Sequence, residues 1–469
     1  MSITSLLFLF VFLPLSLAIY YISNDRVKEY VLLVISLLFY AIGSVEYLLL
    51  FALAVSITVI IGRTINSCDN LFLKRLLLLF GIVINAGMLL YFKYTNFAIT
   101  TWGQITSTEV EPKEMLLPLG ISFFTFKAIS YLVDVYNGKA ELDDNPVHDA
   151  LYLSFFAQIQ SGPITRYNSM SKNDINKSEL FCDGVTRFVI GFNKKVLIAN
   201  VLANITNEVF GASLDTFSTS YAWLGSICYS LQLFFDFAGY SDMAIGISEM
   251  FGYKCMENFN YPYMTESVSK FWRRWHISLS EWFRDYVYFP LGGSKTKNKW
   301  KVYFNLFVVW ALTGIWHGAA WNFIAWGLGY FIVISFERLT GLPHKFKTAV
   351  GKTIYRILSL MFINFQWVLF NSTSIIDGLR FIKRMIVYRA NDLASNRTLF
   401  LLKEYAFFIV VAVILCFPIV PWLEKKLSNN KVIYRVFEIA ELFVIILAFA
   451  WAISFVVAGQ NNPFAYANF

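Results

Sequence analysis

The chain has 469 residues, of which 57% are hydrophobic, 18% aromatic and only 15% charged, whereas about a quarter of the residues of an average soluble domain carry charge. That composition excludes an ordinary soluble enzyme. The formal charge of +8 does not indicate nucleic acid, because the basic residues gather in short loops between apolar runs, the pattern of cytoplasmic loops facing anionic membrane lipid.

Runs able to cross a hydrocarbon core of roughly 30 Å recur from end to end, leaving no stretch for a sizeable soluble domain. The predicted fold class is therefore all-α, a polytopic membrane helical bundle forming one transmembrane domain over residues 1–469. Counting runs gives about twelve crossings, with both termini outside by the charge rule. The five cysteines (Cys68, Cys182, Cys228, Cys255 and Cys416) show no CxxC or metal-ligand spacing, so no metal and no disulfide framework is expected.

In chain order, Met1 to Tyr21 lacks a basic n-region and a small-x-small cleavage site, which predicts a retained first helix. Spans follow at about Tyr30–Ile42, Tyr47–Ile61 and Leu76–Phe92, the last leading into a loop from Lys93 to Glu114. Leu117–Tyr136 is a further span carrying Lys127, read as snorkelling or paired. Leu151–Tyr167 is short and broken by Gly162-Pro163, which predicts a re-entrant or interfacial segment. A helix over Val185–Phe210 carries Lys194 and Lys195, and Ser226–Lys254 is a membrane-depth helix interrupted by Asp236, Ser241 and Asp242. Those carboxylates must face protein or water, and a buried hydrogen-bond network between helices is the simpler reading than catalysis. Spans near Ile354–Phe370, Tyr405–Val420 and Phe437–Val457 complete the bundle, and the amphipathic, basic Ile375–Arg389 reads as a helix lying in the interface.

Residues 271–330 hold two of the four histidines, His276 and His317. On one continuous helix Trp272, Trp275, His276, Leu279, Trp282, Phe283 and Tyr286 would share a face, with Arg273 and Arg274 presented beside them. Such an element suits a membrane surface, where Arg273 and Arg274 bind either lipid phosphate or the phosphates of a substrate while neighbouring aromatics pack on its apolar part. Lysines at 295, 297, 299 and 301 mark that side as cytoplasmic. A span from near Val302 then carries His317 roughly 22 Å, past the middle of the core. Gly314 and Gly318 flank it and would admit another backbone or a substrate, and Trp316, Trp321, Asn322 and Trp326 supply aromatic walls and an amide. A neutral, desolvated histidine there suits general-base work on an attacking hydroxyl. No GxSxG, HExxH or P-loop is present, which removes the usual hydrolase, zinc-protease and nucleotide-driven readings.

Six stretches then bear comparison with a known family: SLLFLFVFLPL, LPLGISFFTFKAISYLVDVY, SFFAQIQSGPITRY, FFDFAGYSDMAIGISEMFGY, FWRRWHISLSEWFRDYVYFPLGGS and LTGIWHGAAWNFIAWGLGY, with the closing NPFAYANF as a weaker seventh. Together they resemble the membrane-bound O-acyltransferase family, within it the bacterial branch of alginate O-acetyltransferases and D-alanyl transfer proteins, and the former more closely. The resemblance implies tilted helices around a thin central wall with a funnel on each face, in the cell membrane of a bacterium. It puts the family's essential histidine at His317 and a second motif histidine at His276; Arg273, Arg274, Trp275, Trp316 and Asn322 are the candidate substrate-binding residues from the reading of the stretch itself. It further implies that an acyl group, acetyl above all, passes from a cytoplasmic thioester, as acetyl-CoA or an acyl-phosphopantetheine carrier, to an extracytoplasmic polysaccharide. An SGNH-type acetyltransferase or a small membrane acyl-relay protein would be the partner, and no bound cofactor is implied. D-alanyl transfer to teichoic acid and a non-enzymatic transporter are the alternatives. A transporter should show two related halves with paired broken helices, and no internal repeat is evident.

Overall fold

The structure is a computed structural model that describes residues 1–170, 177–214, 218–387 and 395–459. The closing NPFAYANF and Arg389 lie outside the described residues, within which every regular element is helical.

The first half comprises α1 (Phe8–Ile22), α2 (Lys28–Ser44), α3 (Leu48–Ser67), α4 (Leu71–Thr106), α5 (Ile121–Tyr136), α6 (Pro146–Ser154), α7 (Phe156–Ile159), α8 (Lys177–Asn193), α9 (Asn200–Gly211) and α10 (Thr219–Met250). The second comprises α11 (Val268–Phe271), α12 (Ile277–Phe283), α13 (Lys299–His317), α14 (Trp321–Thr340), α15 (Leu342–Lys345), α16 (Ala349–Asn371), α17 (Ile375–Ile386), α18 (Asn396–Glu404), α19 (Ala406–Leu415), α20 (Ile419–Leu427) and α21 (Lys431–Val457). Long apolar runs supply the helices, and Asn or Ser side chains start several of them. Asn70, Ser218, Asn298 and Asn430 each accept from a backbone N–H of the first turn, satisfying donors that have no intrahelical partner.

Among the described residues six helical segments have the length and apolarity to cross a membrane, or seven if the sharply bent α18–α19 pair is one span. That is fewer than the dozen predicted. The difference arises because α2 and α3 form forty helical residues through a 3-10 turn at Val45–Tyr47, because α1 and α5 are too short, and because α10 and α13 are long enough but not apolar enough. The region 151–167, not counted among the dozen, is short and broken: α6 breaks at Phe155, α7 is a single turn, and Gly162 turns the chain at φ 119°. Its non-crossing character matches the sequence reading.

Two seams organise the centre. Helix α10 is unbroken over 32 residues, so Asp236, Ser241 and Asp242 do not interrupt it; each has a partner instead. Asp236 pairs with Lys195 inside the protein, Asp242 with Arg187 and Lys194, and Ser241 accepts from the amide of Asn258. Along the same seam Gly184 meets Gly246 and Gly191 meets Gly239. A Cβ on any of the four would come within 2.7 Å of the opposing carbonyl oxygen, so only glycine permits this separation of α8 and α10. The second seam joins α13 and α14, where a Cβ on Gly314 would lie 2.6 Å from the Phe323 carbonyl oxygen and one on Gly327 2.5 Å from that of Trp310.

Candidate active site

Helix α13 ends at His317, where Gly318 turns to an extended backbone. The imidazole is only 2% exposed and is walled by Trp316, Trp326 and Phe370, with ring centroids at 4.7, 4.8 and 5.3 Å. Of the two jobs predicted for the glycine flanks, approach of another backbone or of a substrate, Gly314 does the first. Gly314 admits the backbone of α14, and the space over Gly318 is filled by the Phe323 ring, 2.1 Å from where a Cβ would stand. Both therefore fix the helix end rather than leave room for substrate.

His276 reaches the same wall from another direction. Its ring lies 6.4 Å from Trp316 and 4.6 Å from Phe237, edge-on to the latter, and is 1% exposed. Trp316 is thus a neighbour of both histidines. The continuous amphipathic surface helix predicted over 271–286 is not formed. Helix α11 stops at Phe271, His276 takes a left-handed backbone (φ 45°, ψ 56°), and α12 starts at Ile277. Pairing with residues 258–260 is the cause: Asn260 N–H donates to the Arg274 carbonyl at 2.9 Å and Ile277 N–H to the Asn258 carbonyl at 2.9 Å. At the other end Glu337 accepts from the N–H groups of Val268 and Ser269 at 2.9 and 2.8 Å, holding the start of α11 against α14.

The break sends the aromatics inward to separate clusters. Trp272 packs on Trp310 and Tyr330, Trp275 on Phe271 and Trp367, and Trp282 on Phe126. Trp275 is therefore core, not a surface for donor. Arg273 stays exposed and Arg274 half-exposed, and neither guanidinium pairs with a carboxylate among the described residues. Asn322 donates to the carbonyls of Leu369 and Ser372 at 3.4 and 2.8 Å, so its amide ties α14 to the end of α16 rather than facing a substrate.

Lys93 was missed by the sequence reading. Helix α4 does not stop at Phe92 but runs to Thr106, and this buries Lys93, whose ammonium donates to the Trp316 carbonyl. The signal was present in Phe97, Ile99 and Trp102, which continue the apolar pattern past the lysine. For Asn258 and Glu337 a single sequence offers none. Lys127 proves to be paired, its amine donating to Gln158 at 3.2 Å.

The profile described as "MBOAT, membrane-bound O-acyltransferase family" matches residues 145–376, a stretch containing both histidines and the whole of α10 to α14. A probable alginate O-acetylase AlgI of Pseudomonas aeruginosa is 38% identical over 397 residues, covering 83% of this chain and 75% of that protein. The chain belongs to the membrane-bound O-acyltransferase family. It is an acyltransferase and a multi-pass membrane protein. A peptidoglycan O-acetyltransferase of Helicobacter pylori is 35% identical over 416 residues, 81% of this chain and 79% of that one. A teichoic acid D-alanyltransferase of Bacillus subtilis is also 35% identical, but over 241 residues, 48% of this chain and 60% of its own length.

Proposed function

We propose that this acyltransferase takes an acetyl group from a cytoplasmic thioester and passes it across the membrane for O-acetylation of an extracytoplasmic polysaccharide. The observation that carries the reading is His317 itself: an imidazole at the end of a long helix, enclosed by three aromatic rings, one of which, Trp316, also neighbours a second histidine. His317 acts as the base. It takes the proton of an acceptor hydroxyl while the oxygen attacks the thioester carbonyl; the C–S bond breaks, and the protonated ring returns its proton to the leaving thiolate. Donor phosphates, of acetyl-CoA or an acyl-phosphopantetheine carrier, are held by Arg273 and Arg274, which the bundle leaves exposed and unpaired by carboxylates. The immediate acceptor belongs to an extracytoplasmic SGNH-type acetyltransferase or a small membrane relay protein. Acetyl is favoured over D-alanyl because the O-acetylating relatives align over most of the chain and the D-alanyl one over about half.

General-base assistance is worth about a hundred- to ten-thousand-fold, so His317→Ala should all but abolish polymer acylation. The test is the O-acetyl content of extracellular polymer in cells holding equal amounts of wild-type and variant protein in the membrane. Near-normal acetylation with His317→Ala would remove the residue from the mechanism, and D-alanyl esters in place of acetyl esters would reassign the acyl group.

A further inference from the structure

The left-handed backbone at His276 and the asparagine that clamps it define a second oriented base. Only three described non-glycine residues have positive φ, and His276 is one of them; such a conformation persists where the surroundings impose it. Asn258 imposes it here twice. Its carbonyl accepts from Ile277 N–H at 2.9 Å, and its side-chain oxygen accepts from Ser278 N–H at 3.3 Å and from the Ser278 hydroxyl at 2.9 Å. A backbone N–H can only donate, so the atom facing it must be the amide oxygen and not the amide nitrogen. The amide nitrogen then points the other way, to Ser241 Oγ at 3.0 Å. His276 Nδ1 lies 3.1 Å from the same Asn258 oxygen. Two acceptors would repel at that distance, so Nδ1 carries the proton, and in the neutral ring Nε2 carries the lone pair.

That lone pair is buried and has no hydrogen-bond partner among the described residues, and neither has the nearby Trp316 indole N–H. One is an acceptor, the other a donor, and they belong to rings whose centroids are 6.4 Å apart. We propose that Asn258 is a positioning residue that fixes His276 in the Nδ1–H tautomer, so that Nε2 is held as a hydrogen-bond acceptor beside Trp316 while His317 takes the proton of the acceptor hydroxyl. The contribution of that oriented ring to acetylation rests on the transfer reaction proposed above; the tautomer does not.

Nitrogen-15 NMR of purified full-length protein carrying labelled histidine, with the His276 signals assigned by difference against His276→Gln, reads the tautomer without turnover. The expected result is a protonated Nδ1 and unprotonated Nε2 in the wild type; a protonated Nε2 on a neutral ring overturns the proposal. Asn258→Asp keeps the acceptor oxygen and should keep both the tautomer and at least about a third of polymer acetylation. Asn258→Ala should mix the tautomers and lower acetylation about 10- to 100-fold, the usual effect of losing an orienting partner. Should Asn258→Ala not accumulate, wild type and Asn258→Asp decide alone. Wild-type acetylation in Asn258→Ala, with His317→Ala inactive, refutes the positioning role while leaving the acyl-transfer reading intact; activity in His317→Ala fails that reading whatever the tautomer.

Discussion

Gly314→Ala separates the role the structure gives this glycine from a role in admitting substrate. The added methyl would stand 2.6 Å from the Phe323 carbonyl oxygen and 3.3 Å from the Ile324 Cα. Backbone cannot swing aside as a side chain can, so α13 and α14 must part by about 0.8 Å to restore ordinary contact at 3.4 Å. Overpacking of this kind costs about 1–3 kcal/mol. The displaced segment lies within one turn of His317, and a misplacement near 1 Å can cost about a hundredfold in rate, so acetylation should fall roughly 10- to 100-fold. Gly87→Ala is the control: it is also helical and meets nothing within 4 Å, so it should leave activity unchanged and hold or raise stability by up to about 1 kcal/mol through helix propensity. Thermal unfolding in detergent and polymer acetyl content, measured on both variants at equal expression, check the two halves. A Gly314→Ala protein that unfolds with wild-type Tm yet loses activity would show that the glycine makes room for substrate, and the seam argument would be wrong.

Replacing Arg273 and Arg274 together by glutamine should raise the apparent KM for acetyl-CoA in membranes about tenfold or more, since hydrogen bonds to charged groups contribute about 1.5–3 kcal/mol each. Unfolding should be unaffected because both residues lie at the surface; an unchanged KM leaves lipid anchoring as their role. Lys195→Met should destabilise the fold by about 3–5 kcal/mol by stranding the buried carboxylate of Asp236, and Lys195→Met with Asp236→Leu should recover most of the loss. Equal destabilisation in the single and double variants, read by thermal unfolding, would mean that the pair does more than neutralise itself.

The sequence by itself determined the class of molecule, because burying backbone in hydrocarbon leaves few structures and long apolar runs choose among them. It also singled out the candidate for the chemistry, because a histidine at the far end of a span is costly enough to stand out in one sequence. What it could not carry was distance between segments remote in the chain. The 271–286 face has a helical period, yet two hydrogen bonds from residues 258–260 break the helix at His276 and turn Trp275 into core. Lys93 lies more than two hundred positions from Trp316 and meets its carbonyl all the same. Gly314 and Gly318 were visible as small residues, but whether space beside a glycine holds substrate or another helix is a property of the neighbour, and α14 occupies it. Local pattern therefore gave most of the helices and singled out the central histidine, but not where α4 ends or that 271–286 is broken. Which polar group orients which ring, and which aromatics remain free to meet a ligand, was decided only when tertiary packing assigned every buried donor and acceptor its partner.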